Sequence, residues 1–231
     1  MSDTADSNKI ALVLVPHAGG DRVTYAPLVK GLSGVADVYF YEMPGHGKRA
    51  GDPFADSYED LLFELLDLIR DVAKTHEKYV LCGDSLGAYL CDNAYERLLE
   101  EGGKLPSHVV YGAVNPGKGS GDFSIEEIIE KSSDTAILNS DNVYSRYLKN
   151  ILEKDLELLI DGNAGFKAHL QCPMSFFMGK EDRLLGKVYF DWSELAGGGY
   201  REYLFEGEHL FMTSNKNVIT ALMKVLERLQ G

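Results

Sequence analysis

Residues 79–90 read YVLCGDSLGAYL, and this stretch decides the fold. Its first four residues form a short apolar run that is typical of a buried strand, and a helical pattern follows within a few residues. Between the two lies the sequence GDSLG at 83–87, which matches the pattern G-x-S-x-G. Glycines on both sides of a serine, at a sharp turn from strand to helix, are typical of a nucleophile elbow. The sequence therefore predicts that the hydroxyl of Ser85 is exposed above a sheet edge, at a helix N-terminus.

The rest of the chain alternates between strand and helix patterns on both sides of this turn. The predicted strands cover residues 10–15, 35–41, 79–82, 108–114, 174–178 and 200–205. The main predicted helices cover residues 24–32, 57–76, 88–101, 143–160 and 218–229, with a short helical stretch at 192–195. Strands that alternate with helices indicate right-handed βαβ units and a mainly parallel sheet. We therefore predict an α/β fold of the α/β-hydrolase type, with helices on both faces of the sheet.

One segment interrupts the alternation after the fourth predicted strand. Residues 115–121 are rich in glycine, and helical stretches follow at 124–131, at 134–139 and at 143–160. An all-helical insertion at this point should lie over the ends of the strands. We predict a helical lid at about residues 122–166, inside a single domain that spans residues 1–231.

A serine nucleophile needs a general base, because its hydroxyl is protonated at neutral pH. In this architecture the base is a histidine that follows the acid along the chain. His108 opens a strand, and His169 precedes one, which places it at the wrong end of the sheet. His209 follows the last predicted strand and should face the same side as the elbow. We predict His209 as the base for Ser85.

The acid that orients the base should follow the preceding strand, at residues 174–178. Asp182 and Glu181 both lie in the loop that leaves this strand. Its role is to hold the imidazole in one tautomer and to stabilise the imidazolium that forms. We prefer Asp182 as the acid and keep Glu181 as the alternative.

Acyl transfer also requires two N–H donors for the oxyanion. One is the backbone N–H of Leu86, the residue after the nucleophile, and the other should come from the loop after an early strand. The loop PHAGG at 16–20 follows the first strand, and the N–H of Ala18 is the candidate. His17 is predicted to shape the mouth of the site and is a candidate substrate-binding residue.

Composition excludes several classes of protein. The 231 residues include 36 acidic and 23 basic side chains, so the net charge is −13 and nucleic acid should be repelled. The longest early apolar run, at 10–15, has six residues, well short of a membrane span of about 20. The N-terminus has no apolar signal core, and the three cysteines form no C-x-x-C motif. We expect a cytoplasmic monomer that contacts neither nucleic acid nor membrane.

Beyond the elbow, the chain resembles the type II thioesterases, the stand-alone editing hydrolases of nonribosomal peptide and polyketide synthesis. The matching stretches are PHAGG at 16–20, YEMPGHGKR at 41–49, CGDSLGAY at 82–89, LEKDL at 152–156, GKED at 179–182 and GEHLF at 207–211. The resemblance runs in one collinear order over nearly the whole chain. It implies a triad of Ser85, Asp182 and His209 and an oxyanion hole formed by Ala18 and Leu86.

The resemblance also implies a substrate and a partner. The substrate would be an acyl thioester on an acyl or peptidyl carrier protein that binds transiently. No metal or redox cofactor would be needed, because the phosphopantetheine arm belongs to the carrier. The chain departs from the family at three positions: Asp84 stands where the family usually has His, Leu86 where it has Met, and Glu208 where it has Gly. None of these changes removes a catalytic group.

The lid supplies further candidate substrate-binding residues, namely Phe123, Ile128, Tyr144 and Tyr147. Their side chains could line an acyl channel, although such a stripe more often forms the lid's own core. The basic pair Lys48 and Arg49 could meet a carrier's acidic surface or phosphate, or could simply be solvated.

The predicted fold and triad are compatible with three other functions. A carboxylesterase that acts on small free esters would use the same machinery. A catalytically silent binding protein on the same scaffold would share the fold without the reaction. Acyl transfer to an acceptor other than water is the third alternative.

Overall fold

The computed structural model describes residues 9–115, 124–131, 140–185 and 192–230. Within them, six strands form one sheet in the order β2-β1-β3-β4-β5-β6, and every neighbouring pair is parallel. The strands are β1 Ile10–Val15, β2 Ala36–Phe40, β3 Tyr79–Asp84, β4 His108–Gly112, β5 Met174–Gly179 and β6 Tyr200–Phe205. The predicted parallel α/β architecture is confirmed.

Helices lie between and after these strands. They are α1 Ala26–Leu32, α2 Tyr58–Thr75, α3 Leu86–Glu100, α4 Ile125–Lys131, α5 Val143–Asp161, α6 Phe211–Ser214 and α7 Asn217–Gln230. Short 3-10 turns cover Gly47–Arg49 and Trp192–Glu194. The helix predicted at 134–139 lies outside the described residues.

Most differences from the predicted elements are at their ends. β3 continues to Asp84, and α3 begins at Leu86, so a single residue separates the strand from the helix. β4 ends at Gly112 because the next residue, Ala113, has a φ of 53°, which a strand does not accommodate. The helix α6 was not predicted, because four residues carry too little periodicity to reveal it.

The core has two parts, one on each face of the sheet. Alternate residues of β1 divide between them: Ala11, Val13 and Val15 face the side of α2 and α3, while Ile10, Leu12 and Leu14 face the side of α1 and α7. All six residues of β1 are buried. Helices on both faces thus explain why this strand is a continuous apolar run instead of an alternating one.

The helix α2 begins as the sequence predicts. Ser57 is its N-cap, and the hydroxyl of Ser57 accepts a hydrogen bond of 3.2 Å from the N–H of Asp60. Its buried residues recur at helical spacing along one face and are Tyr58, Leu61, Leu62, Leu65, Leu66, Ile69 and Val72. The lid helix α5 contacts both α2 and α4. No helix in the described part of the chain is long and apolar enough to cross a membrane.

Because all six strands are parallel, their C-terminal ends meet at one edge of the sheet. The loops after β1, β3, β5 and β6 all leave from this edge. Ligand sites in open α/β sheets form at such an edge. Residues 16–20 follow β1 and Ser85 follows β3, while Asp182 and His209 lie in the loops after β5 and β6.

Candidate active site

Ser85 occupies a strained turn between β3 and α3. Its backbone angles are φ 52° and ψ −114°, a combination that residues with a side chain rarely adopt. Such a conformation costs roughly 1–3 kcal/mol and persists only where surrounding structure enforces it. The N–H of Ser85 donates a hydrogen bond of 2.8 Å to the carbonyl of Gly112, which fixes the turn against β4. The result is a serine whose side chain stands at the start of a helix.

The flanking glycines are required by close backbone approach. A Cβ placed on Gly83 would lie 2.3 Å from the carbonyl oxygen of Gly87. A Cβ placed on Gly87 would lie 2.3 Å from the carbonyl oxygen of Val15. Both contacts are with backbone, which cannot rotate away. The G-x-S-x-G pattern is thus the sequence consequence of packing α3 tightly against β1 and β3.

His209 connects Ser85 to Asp182. Its Nε2 lies 3.0 Å from the hydroxyl oxygen of Ser85, and its Nδ1 lies 2.8 Å from Oδ2 of Asp182. The other carboxylate oxygen, Oδ1, accepts hydrogen bonds from the N–H groups of Leu184 and Leu185, at 3.0 and 3.1 Å. The carboxylate is therefore held from both sides. With Nδ1–H donating to Asp182, Nε2 is left to accept the hydroxyl proton of Ser85.

The surroundings of His209 favour its charged form. Burial alone would lower the pKa of the imidazole, but the hydrogen bond and negative charge of Asp182 oppose this effect. The charge of Asp84 acts in the same direction as that of Asp182. The net result is that the pKa of His209 is raised above its ordinary value. An imidazolium formed during a reaction would thus be stabilised.

Glu181 has a different position from Asp182. Its side chain is exposed, and its Oε2 accepts a hydrogen bond of 2.5 Å from the N–H of Gly207. This contact supports the loop that carries His209, whereas the carboxylate on the imidazole itself belongs to Asp182. Glu208, next to His209, pairs with Arg183 at 2.6 Å.

The loop at 16–20 is held on both sides of Ala18. The N–H of His17 donates to the hydroxyl of Tyr25 at 3.1 Å, and the N–H of Gly19 donates to Oδ2 of Asp155 at 2.6 Å. Leu86 is the first residue of α3, so its N–H has no acceptor within the helix. Among the described residues, neither Ala18 nor Leu86 has a hydrogen-bond acceptor for its N–H. Both groups are available to a ligand.

Asp155 joins the helix α5, in the segment predicted as a lid, to this loop. The same Oδ2 that binds Gly19 also lies 2.9 Å from Nε2 of His46, and both side chains are buried. Nδ1 of His46 lies 2.9 Å from the carbonyl of Pro44, which can only accept. Both ring nitrogens of His46 therefore face acceptors, as in an imidazolium. Burial alone would lower the pKa of His46, but Asp155 raises it, and the net direction is upward.

His46 and Asp155 lie in two of the stretches that resemble the family, at 41–49 and at 152–156, but the sequence alone predicts no role for either residue. A buried histidine and a buried aspartate 109 residues apart give no local signal of contact. The usable signal was that a loop P-G-H-G and an acidic residue on the lid both belong to stretches that match one family.

The predicted substrate-binding residues have varied positions. His17 is buried and bound by Tyr25 and Asp84. Ile128 is partly buried in α4, and Tyr147 is exposed on α5. Phe123 lies outside the described residues, and only the backbone of Tyr144, in α5, is described. No acyl channel can be assigned to them as a group.

The remaining candidate side chains are the potential metal ligands, the cysteines and the basic pair Lys48 and Arg49. In the described ranges, no group of three or more His, Cys, Asp or Glu residues could hold a metal ion. Cys82, Cys91 and Cys172 are all buried, and none of them forms a disulfide among the described residues. Of the basic pair, Lys48 is exposed, whereas Arg49 pairs with Asp52 at 2.8 Å and also with Glu64.

The chain is similar to known proteins in sequence and in structure, and it matches a protein-family model. The chain is 22% identical over 222 residues to the thioesterase TesA of Mycobacterium leprae, covering 93% of this chain and 85% of TesA. It is 23% identical over 226 residues to a probable cadicidin biosynthesis thioesterase of Streptomyces griseus, covering 93% of this chain but only 62% of that protein. In structure it is similar to RedJ, a thioesterase from the prodiginine biosynthetic pathway of Streptomyces coelicolor. The TM-score is 0.78 at 22% identity, with 96% of this chain and 88% of RedJ covered.

A family model also matches almost the whole chain. The model of the thioesterase domain matches residues 11–229, which include all but the first residue of β1, the elbow, the segment predicted as a lid and the loops that carry Asp182 and His209. The chain therefore belongs to the thioesterase domain family and is a hydrolase that acts on thioesters.

Proposed function

We propose that the protein hydrolyses acyl thioesters on the phosphopantetheinyl arms of carrier proteins, as an editing or release enzyme of nonribosomal peptide or polyketide synthesis. The observation that carries the proposal is the unbroken hydrogen-bonded series from Ser85 through His209 to Asp182. The N–H groups of Ala18 and Leu86, which have no acceptor among the described residues, support it. The carrier-bound substrate is supported by relatives whose names refer to cadicidin and prodiginine biosynthesis.

The proposed reaction begins with attack by the hydroxyl oxygen of Ser85 on the thioester carbonyl carbon. His209 takes the hydroxyl proton as the Oγ–C bond forms, and Asp182 stabilises the resulting imidazolium. The carbonyl oxygen becomes an oxyanion, which the N–H groups of Ala18 and Leu86 bind. Collapse of this intermediate breaks the C–S bond, and His209 returns the proton to the departing thiolate.

A second half-reaction regenerates the enzyme. Water attacks the acyl-serine carbonyl and gives its proton to His209, and the same two N–H groups bind the second oxyanion. Breakage of the C–O bond releases the carboxylic acid, and His209 returns the proton to the oxygen of Ser85. Every group in this cycle comes from one chain, so we propose that the enzyme works as a monomer. The carrier would bind transiently, because each turnover must release it. We also propose that the enzyme works in the cytoplasm.

The test is a matched comparison of three substrates. One short acyl group would be presented on a phosphopantetheinylated carrier, on a simple soluble thioester, and as the corresponding oxygen ester. A kcat/KM that is at least about tenfold higher for the carrier would mean that contacts with the carrier lower the barrier, as the proposal requires. Equal values for all three, or a preference for the oxygen ester, would contradict it and favour a general esterase. The variant Ser85→Ala, assayed with each substrate, supplies the background rate.

A further inference from the structure

A buried carboxylate lies directly before the nucleophile and is not used in the proposed reaction. Asp84 is fully buried at the end of β3. Its Oδ2 accepts a hydrogen bond of 2.5 Å from the hydroxyl of Tyr25. Its Oδ1 is buried without a hydrogen-bond partner among the described residues. Burying a carboxylate with one oxygen unsatisfied is unfavourable, so its presence here calls for a reason beyond stability.

The hydrogen bonds around Asp84 have a definite direction. Because the hydroxyl of Tyr25 donates its proton to Asp84, it can only accept from its other neighbours. These neighbours are the backbone N–H of His17, at 3.1 Å, and Nδ1 of the same residue, at 2.6 Å. Nδ1 of His17 therefore carries a proton, and it also lies 3.3 Å from Oδ2 of Asp84. The series runs from the loop after β1, through Tyr25, to the residue before Ser85.

This series connects the two loops that supply the oxyanion donors. Ala18 follows His17 in one loop, and Leu86 lies two residues after Asp84 in the other. A hole made from two separate loops is effective only if its N–H groups keep a fixed separation, since donors must lie about 2.7–3.1 Å from the oxyanion. We propose that Asp84 is a positioning residue that, through Tyr25, holds the loop of Ala18 at a fixed place relative to the elbow. The inference rests on the proposed function, because it assumes that these two N–H groups bind the oxyanion.

The same carboxylate also acts on the base. Asp84 directly precedes Ser85, whose hydroxyl oxygen lies 3.0 Å from Nε2 of His209. The negative charges of Asp182, in the loop after β5, and of Asp84, at the end of β3, both raise the pKa of His209. Removing the charge of Asp84 while keeping its shape should therefore lower the pKa of His209. Removing Tyr25's hydroxyl would leave that charge in place. The two roles of Asp84 can thus be separated by two different substitutions.

The experiment uses a simple soluble acyl thioester, so that the carrier plays no part in it. Tyr25→Phe removes the bridge through the Tyr25 hydroxyl and leaves only the longer contact of 3.3 Å between Nδ1 of His17 and Oδ2 of Asp84, whereas Asp84→Ala removes both. Each variant should lower kcat by roughly 10- to 100-fold while KM changes less than about threefold. The loss is smaller than the 10²–10³-fold measured when an oxyanion donor is deleted, because here a donor is displaced and not removed. The double variant should be about as slow as either single variant, because both changes break one series.

The conservative variant tests both roles at once. Asp84→Asn keeps an oxygen that can accept the hydrogen bond from Tyr25. The kcat of this variant should therefore be at least about tenfold higher than that of Asp84→Ala. It should also move the acid limb of the pH profile of kcat/KM to lower pH, because His209 loses a stabilising negative charge. Tyr25→Phe should not produce this downward shift.

Tyr111→Phe is the matched control. The hydroxyl of Tyr111 donates to Oδ1 of a different buried carboxylate, Asp92, at 3.3 Å, and both side chains lie inside the core. Its removal also deletes a buried hydrogen bond from a tyrosine to a carboxylate, although a longer one than that of Tyr25, and the Tyr111 hydroxyl contacts neither oxyanion loop. The kcat of this variant should therefore stay within about twofold of the parent. A general loss of packing would lower kcat in both tyrosine variants.

Three results would overturn the inference. They are a kcat within threefold of the parent for folded Tyr25→Phe, losses that multiply in the double variant, or an equal loss in Tyr111→Phe. If Asp84→Ala does not fold, Tyr25→Phe and Asp84→Asn still decide the question. Failure of the proposed triad would look different, because Ser85→Ala would then keep the parent's activity on the same substrate. A parent that is active through Ser85, with an unaffected Tyr25→Phe variant, refutes only the positioning role.

Discussion

Ser85→Gly should abolish activity, as Ser85→Ala does, but it should have a higher free energy of unfolding than Ser85→Ala. The backbone of Ser85, at φ 52° and ψ −114°, is strained for any residue with a Cβ, whereas glycine adopts positive φ without penalty. The informative reference is Ser85→Ala and not the parent. Both variants lose the same hydroxyl and the same 3.0 Å contact with Nε2 of His209, so the comparison isolates the Cβ.

The expected difference follows from two opposing terms. Relief of the strain should stabilise the glycine variant by roughly 1–3 kcal/mol relative to alanine. The greater freedom of glycine in the unfolded chain should cost about 0.4–1 kcal/mol. The net expectation is that Ser85→Gly is about 1 kcal/mol more stable than Ser85→Ala. For a chain of this length, that difference corresponds to a rise in Tm of about 2–4 °C.

Urea unfolding followed by circular dichroism would measure the difference, with thermal unfolding as a second readout. The control is Ala50→Gly, the same replacement at an exposed residue with an ordinary φ of −58°, which should lower stability. If Ser85→Gly proved no more stable than Ser85→Ala, the elbow would not store the strain that its backbone angles imply.

Three further predictions concern the acid, the elbow packing and a buried carboxylate. Asp182→Asn should lower kcat by about 10³–10⁴-fold and Glu181→Gln by less than about tenfold, and steady-state assays showing the reverse order would assign the acid to Glu181. Gly87→Ala should lower the free energy of unfolding by about 1–3 kcal/mol or more, because its Cβ would lie 2.3 Å from the carbonyl oxygen of Val15; an unchanged urea midpoint would contradict that contact. Burial raises the pKa of Asp92 from 3.8 to about 7, so the folded state holds a proton that the unfolded state releases between these values. The parent should therefore lose roughly 3 kcal/mol relative to Asp92→Asn as pH rises from 4 to 7, and a constant difference in urea unfolding across that range would refute this linkage.

Much of the fold could be predicted because local sequence and global packing agree. The continuous apolar run of β1 follows from burial on both faces, and the glycines at 83 and 87 follow from backbone contacts shorter than any side chain allows. Element ends were less predictable. The end of β4 depends on the positive φ of Ala113, which its residue type does not indicate.

The polar networks around the site could not be predicted from the sequence. The contact between Tyr25 and Asp84 joins residues 59 positions apart, and that between His46 and Asp155 joins residues 109 positions apart. No periodicity or spacing in the sequence encodes such pairs, because they depend on how loops from different strands converge at one sheet edge. By contrast, the order Ser, acid, His along the chain follows from strand order, so those three residues could be named in advance. That the chain forms a single domain stays a prediction.

Trapping the covalent intermediate would test most directly whether Ser85 is the nucleophile that takes the acyl group. The enzyme would be mixed with a soluble acyl thioester, quenched in acid within milliseconds to seconds, and analysed by mass spectrometry of the intact chain and of its peptides. We expect the mass of the parent to increase by one acyl group, located on Ser85, and the increase to decay as free acid appears. Ser85→Ala should show no such increase. Turnover of the thioester with no acyl group on Ser85, or with the acyl group on another residue, would contradict this assignment.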